Sequence, residues 1–137
     1  MAAAAPTMRV RADTAELARV RRRVAAWAEA AGLSSAVAHR LQLAVDETVA
    51  NAIEHGLAPG TRQLTVAGSA GRGRLAVTVR YRGPAFDPTT EGPPSAEPAI
   101  RKRAPHGYGL HLMRSLVDRV DYRRVGGVNE VQLTVAR

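Results

Sequence analysis

Asp46-Glu47-Thr48-Val49-Ala50-Asn51-Ala52-Ile53-Glu54-His55-Gly56 carries the densest pattern in the chain. Glu47, Asn51 and His55 recur every four residues, so on a helix they line one side. Leu41, Val45, Val49 and Ala52 form an apolar stripe next to them. A carboxylate and an amide pointing the same way suit magnesium, which takes oxygen ligands and needs only one or two protein groups when it bridges phosphates. In that reading Asn51 is the metal ligand and Glu47 is left to act as a base. The same spacing also describes an ordinary amphipathic helix with a polar edge, so the stretch alone leaves both open.

Outward from this helix, Ser34-Ser35 supplies its N-cap, and Gly56 with Pro59-Gly60 ends it. Upstream, residues 8–11 read as a short strand. Asp13-Thr14 then caps a first helix whose apolar positions are Leu17, Val20, Val24 and Trp27, closed by Gly32. Downstream, 63–67 and 75–81 are β-rich runs around Gly71-Arg72-Gly73, the pattern of a hairpin. Residues 83–109 are rich in proline and glycine and lack apolar periodicity, so a long loop is expected, with a lid at about 88–106. Loops of that length in compact domains are usually lids or binding loops, or else disordered. A helix is expected over 110–117, then strands over 120–125 and 128–135 joined by Gly126-Gly127. This order predicts an α+β fold, a two-layer sandwich with helices on one face of a mostly antiparallel sheet.

The 137 residues fit a single domain over 1–137. No stretch approaches a membrane span and the N-terminal alanines lack the regions of a signal peptide, so a soluble, cytoplasmic protein with no membrane partner is expected. The absence of cysteine excludes disulfides, thiol nucleophiles and thiolate metal sites, and the four histidines lack ligand spacing. The net charge of +8 is almost wholly arginine, Lys102 being the one lysine. That charge invites an acidic partner. The arginines are scattered, however, and no stacking motif or zinc finger accompanies them, so direct nucleic-acid binding is not expected. Most would lie on solvated faces.

His106-Gly107-Tyr108-Gly109-Leu110 stands at the junction of the long loop and a helix, with Arg101-Lys102-Arg103 just upstream. Glycines there let backbone N–H groups approach an anion, and Lys102 and Arg103 would bring positive charge over a polyphosphate. A solvated loop whose glycines only start a helix fits equally. No GxxxxGK[ST] run, early GxGxxG or GxSxG elbow is present, so Walker-type, Rossmann and α/β-hydrolase sites are unsupported.

Taken together, the 46–56 stretch closely resembles the N-box of the gyrase, heat-shock chaperone and histidine-kinase ATPase superfamily. Gly107-Tyr108-Gly109-Leu110-His111-Leu112, followed by Leu116 and Asp118, looks like its second glycine box. Between them, Tyr81-Arg82-Gly83-Pro84-Ala85-Phe86-Asp87-Pro88 stands where the family has its first glycine box, ordinarily Asp-x-Gly-x-Gly-Phe-Asp. The short N-terminal strand and helix, the missing dimerisation domain and the terminal Gly127-Val128-Asn129-Glu130-Val131 resemble most the bacterial anti-sigma-factor serine kinases. That resemblance implies an ATP and Mg2+ site in which Glu47 is the general base, Asn51 the magnesium ligand, and Tyr81, Gly83, Ala85, Gly107, Tyr108, Gly109 and Leu110 contact the nucleotide. It also implies a sigma factor and an antagonist protein as partners, Arg19 on the first helix as a partner contact, and a homodimer through the first strand and helix.

Two positions depart from the family pattern. Tyr81 replaces the aspartate that accepts a hydrogen bond from the adenine amino group, and Ala85 replaces the second glycine. Losing a charged acceptor costs about 1.5 to 3 kcal/mol, equivalent to roughly 10- to 150-fold in nucleotide affinity. Two functions therefore compete. One is an ATP-dependent serine kinase that sequesters a sigma factor; the other is a regulatory scaffold of the same fold with weak or lost ATP binding. A histidine-kinase-like catalytic module is disfavoured by the short lid and the missing companion domain.

Overall fold

The computed structural model describes residues 6–89 and 113–137. Strand β1 (Thr7–Arg11) leads through a short 3-10 turn (Thr14–Glu16) into α1 (Leu17–Ala30) and α2 (Ser35–Asn51). A π-turn (Ala52–Gly56) follows, then β2 (Gln63–Gly71), β3 (Arg74–Arg82), β4 (Arg119–Val125) and β5 (Val128–Ala136). Every pairing is antiparallel and the order is β1-β2-β3-β5-β4, so β3 lies at the centre. The expected α+β architecture is the one observed.

Local differences have physical causes. Asp13 accepts a hydrogen bond from the Ala15 amide at 2.9 Å, but the segment it caps is the 3-10 turn, and α1 begins only at Leu17. The β2–β3 hairpin pairs out to Gly71↔Arg74, so both strands run further than 63–67 and 75–81, and the turn shrinks to Arg72-Gly73. Gly73 takes a φ of 65° there, which only glycine adopts at little cost. Of the helix expected over 110–117, the described portion is helical at 113–116. The expected lid at 88–106 falls mostly outside the described residues.

The core lies between the helices and one face of the sheet. Val20, Val24 and Trp27 of α1 and Leu41, Val45 and Val49 of α2 bury against Val66, Val77, Val79 and Leu133. The stripe predicted from three- and four-residue spacing is thus the buried one. Gly68 makes room for the indole: a Cβ there would come within 2.6 Å of Trp27 Cε3. Leu41, at 0% exposure, anchors α2, and truncating such a leucine to alanine costs about 2 to 5 kcal/mol. Among the described residues no helix is long and apolar enough to cross a membrane.

Candidate nucleotide site

Helix α2 aims its C-terminal end at the end of β3. Ser34 caps it by accepting from the Val37 amide at 3.2 Å, and Thr48 satisfies its hydroxyl within the helix by donating to the Ala44 carbonyl at 2.8 Å. After Asn51 the α-helix widens into the π-turn. Such turns tend to occur at functional sites. The chain then locks onto β3 through the Ala58 amide and Arg82 carbonyl, 2.9 Å apart.

Between the helix end and the strand end lies a cavity of about 200 Å³, with Asn51, His55, Gly56, Tyr81, Pro84, Ala85 and Phe86 among its walls. A narrower extension continues past Thr48, Met113 and Val131. Complete small-molecule pockets run to about 300–1,000 Å³, so the volume bounded here suits one planar ring system rather than a whole nucleotide. Its walls are mainly apolar and aromatic, with Asn51, His55 and Tyr81 as the side chains that carry polar atoms.

Tyr81 is 5% exposed. Burial pushes its phenol up to about 12, with nearby Tyr122 acting the same way and Arg124 opposing. It is therefore neutral at physiological pH, where the family pattern would place a carboxylate.

A polar lattice missed by the sequence reading supports the cavity from behind. Asn129 is fully buried and faces Tyr81 in the β3–β5 register. Its amide nitrogen donates to the Pro84 carbonyl at 2.8 Å, and its oxygen accepts from the Tyr122 hydroxyl at 2.5 Å and from Arg124 at 3.0 Å. Arg124 also donates to the Gly83 carbonyl at 2.8 Å. Asn129 thus ties β5 and β4 to the segment that forms one wall. An available signal was its place in the strand alternation, on the inward side with Val131, Leu133 and Val135.

The structure brings together Asn51, Tyr81 and Ala85 at one cavity. Glu47 sits one helical turn before Asn51, half-buried. Gly83 is buried behind the wall, where a Cβ would come within 1.8 Å of the Gly56 carbonyl oxygen. Gly107, Tyr108, Gly109, Leu110, Lys102 and Arg103 lie outside the described residues. Arg19 is not among the residues lining the cavity: its guanidinium donates to Glu16 at 2.9 Å and to the Arg9 carbonyl, tying α1 to β1.

The donor set suits magnesium only in company with phosphates. Among the described residues no three His, Asp or Glu side chains converge as a metal cage. An amide oxygen at the cavity wall matches the one or two protein ligands that magnesium needs when phosphates supply others.

Comparison with known proteins agrees with this geometry. Residues 10–135 match the family described as Histidine kinase-like ATPase domain. The chain is 31% identical over 97 residues to the serine/threonine-protein kinase BtrW of Bordetella bronchiseptica, covering 69% of this chain and 67% of that protein. Its fold is similar to the crystal structure of the RsbU and RsbW domains of a Mycobacterium tuberculosis protein, with a TM-score of 0.65 at 22% identity. That match covers 96% of this chain, which spans only 32% of the solved one.

Proposed function

The chain belongs to the histidine kinase-like ATPase domain family, and from that premise we propose that it is a regulatory serine kinase of the anti-sigma-factor type, using ATP with Mg2+. The observation that carries the reading is Asn51 at the wall of the cavity with Glu47 one turn earlier on the same helix. The purine would enter beside Tyr81, Ala85 and Gly56, and the phosphates would extend along the end of α2. Magnesium, when bound, neutralises charge developing on the transferred phosphoryl group. Asn51 would hold it through the amide oxygen. Glu47 would orient a serine hydroxyl of a protein substrate and take its proton as the serine oxygen bonds to the γ-phosphorus and the bond to ADP breaks. The likeness to a protein named as a serine/threonine kinase supports the reaction class. A sigma factor and its antagonist are the proposed partners, a homodimer the proposed assembly, and the cytoplasm the proposed location.

A second reading is a protein-binding scaffold with little or no ATP turnover. Tyr81 favours it, because a buried neutral phenol fills the position of the base-reading carboxylate. Isothermal titration with ATP, with and without magnesium, separates the two. Magnesium-dependent binding supports the kinase, and no heat at millimolar nucleotide supports the scaffold.

A further inference from the structure

The face of the sheet turned away from the helices takes no part in the proposed chemistry, yet its charge is lopsided. Side chains alternate along each strand, and the register sets Arg9, Thr65, Arg80, Glu130 and Arg123 in one row from β1 to β4. Arg11, Arg74, Arg82 and Arg119 project from the same face. Among the described residues its carboxylates are Glu130, within 3.1 Å of Arg123 and 3.7 Å of Arg80, and Asp121, 2.8 Å from Arg119. Both are already engaged. On α1, α2 and the short turns flanking them, by contrast, Arg19, Arg21, Arg22, Arg23 and Arg40 are equalled in number by Glu16, Glu29, Asp46, Glu47 and Glu54. A compositional preference for arginine would load both layers alike, whereas among the described residues the larger part of the surplus lies on the open sheet face, even with Arg11 also held by Glu16 at 3.3 Å.

We propose that this open sheet face docks an acidic helical segment of a partner protein, laid across the strands. Arg9, Arg80 and Arg123 each lie two strands apart, which at about 4.8 Å per strand places them roughly 10 Å from one another. Carboxylates seven residues apart on a helix repeat on the same side about every 10.5 Å, so one would meet each arginine. Thr65, Ala67, Ala76 and Thr78 leave a low floor between the arginines. Nucleic acid fits less well. Among the described residues this face presents no aromatic side chain for base stacking. A second copy of the chain would set the same surplus against itself.

The test titrates the full chain against three labelled probes: a helical peptide with glutamate at every seventh position, the same peptide scrambled, and single-stranded DNA of equal charge. The heptad peptide should bind most tightly and weaken as salt rises. Neutralising Arg9, Arg80 and Arg123 together to Gln should weaken it about tenfold. Arg9→Gln alone, which leaves the Glu130 pairs intact, should act in the same direction with an unchanged unfolding midpoint. Arg22→Gln with Arg23→Gln on α1 should have no effect. Equal binding of the scrambled peptide, tighter binding of the DNA, or insensitivity to both sheet-face variants would overturn the proposal.

Discussion

Gly83 approaches Gly56 so closely that a Cβ on Gly83 would come within 1.8 Å of the Gly56 carbonyl oxygen. The contact joins the end of β3 to the π-turn and sets the distance between two walls of the cavity. Both partners are backbone, so neither can rotate away. Gly83→Ala should therefore force the strand end and the turn apart, costing about 1 to 3 kcal/mol and lowering the thermal midpoint. Gly60→Ala, in open space at a positive φ of 82°, should cost about 1 kcal/mol from backbone strain alone. A smaller loss at Gly83 than at Gly60 would mean that the contact relaxes freely.

Asn129 supports the same region from the other side. Asn129→Leu keeps the volume but leaves the Pro84 carbonyl, the Tyr122 hydroxyl and Arg124 without their shared partner. The expected destabilisation is about 2 to 3 kcal/mol, because a buried polar group stripped of its hydrogen bond keeps its desolvation cost. Chemical denaturation measures it, and a loss below that of an average surface substitution would show the lattice to be incidental.

These two residues also mark what the sequence disclosed. Strands, helices and core stripe were readable because each rests on local periodicity: Val20, Val24, Leu41 and Val45 recur at helical spacing, and Leu75, Val77 and Val79 at strand spacing. The four-residue spacing of Glu47 and Asn51 left a magnesium site and a polar helix edge both open, and the resemblance of the 46–56 stretch to an N-box is what singled them out as candidates. The requirement for glycine at 83 was not readable, because it arises from the approach of two backbones 27 positions apart. Nor was the π-turn, which begins just after Asn51 and alters the even four-residue spacing on which His55 was placed. Nor was the bridge that the Arg19 guanidinium makes to Glu16 and the Arg9 backbone, because it joins the first helix to a separate strand.

Asn51→Ala should abolish the magnesium-dependent part of ATP binding and leave the fold intact. Asn51 ends α2 at the cavity wall and is only half-buried. Alanine also favours the helix, so the unfolding free energy should stay within about 1 kcal/mol of wild type. ATP titrations with magnesium and with chelator, on both proteins, provide the measurement. An unchanged magnesium effect in the variant would assign the metal to another group.

Glu16 gives the fold an acid-sensitive tie. It is 7% exposed, and the Arg19 guanidinium beside it, helped by the Arg11 amide and guanidinium, holds its carboxyl down at about 2 against an ordinary 4.5. A depressed carboxylate contributes stability that is fully present above its unfolded value and is lost as pH falls toward the folded one. Wild type should thus lose stability between pH 4.5 and 2 more steeply than Glu16→Gln, while at neutral pH the variant is the less stable. Urea denaturation across that range decides it, and parallel curves would show that Glu16 is not responsible.

Tyr81 should relax the choice of base. An aspartate at this position could only accept a proton from the exocyclic amine of adenine, whereas a phenol can turn its hydroxyl to donate to the carbonyl of guanine. Burial pushes the phenol up to about 12, so both options remain open throughout the neutral range, and Ala85 beside it adds no polar group. Wild type should therefore bind ATP and GTP within about tenfold of each other, since neither leaves the site with an unmatched charge. Tyr81→Asp should tighten ATP roughly 10- to 150-fold by restoring a charged acceptor and should leave GTP unimproved. It also removes ring volume from the cavity wall, so each titration must be paired with a thermal midpoint to confirm folding. If wild type strongly prefers ATP and the variant gains nothing, another residue reads the base. If neither nucleotide binds until the aspartate is restored, the wild-type site is degenerate and the scaffold reading of the protein prevails.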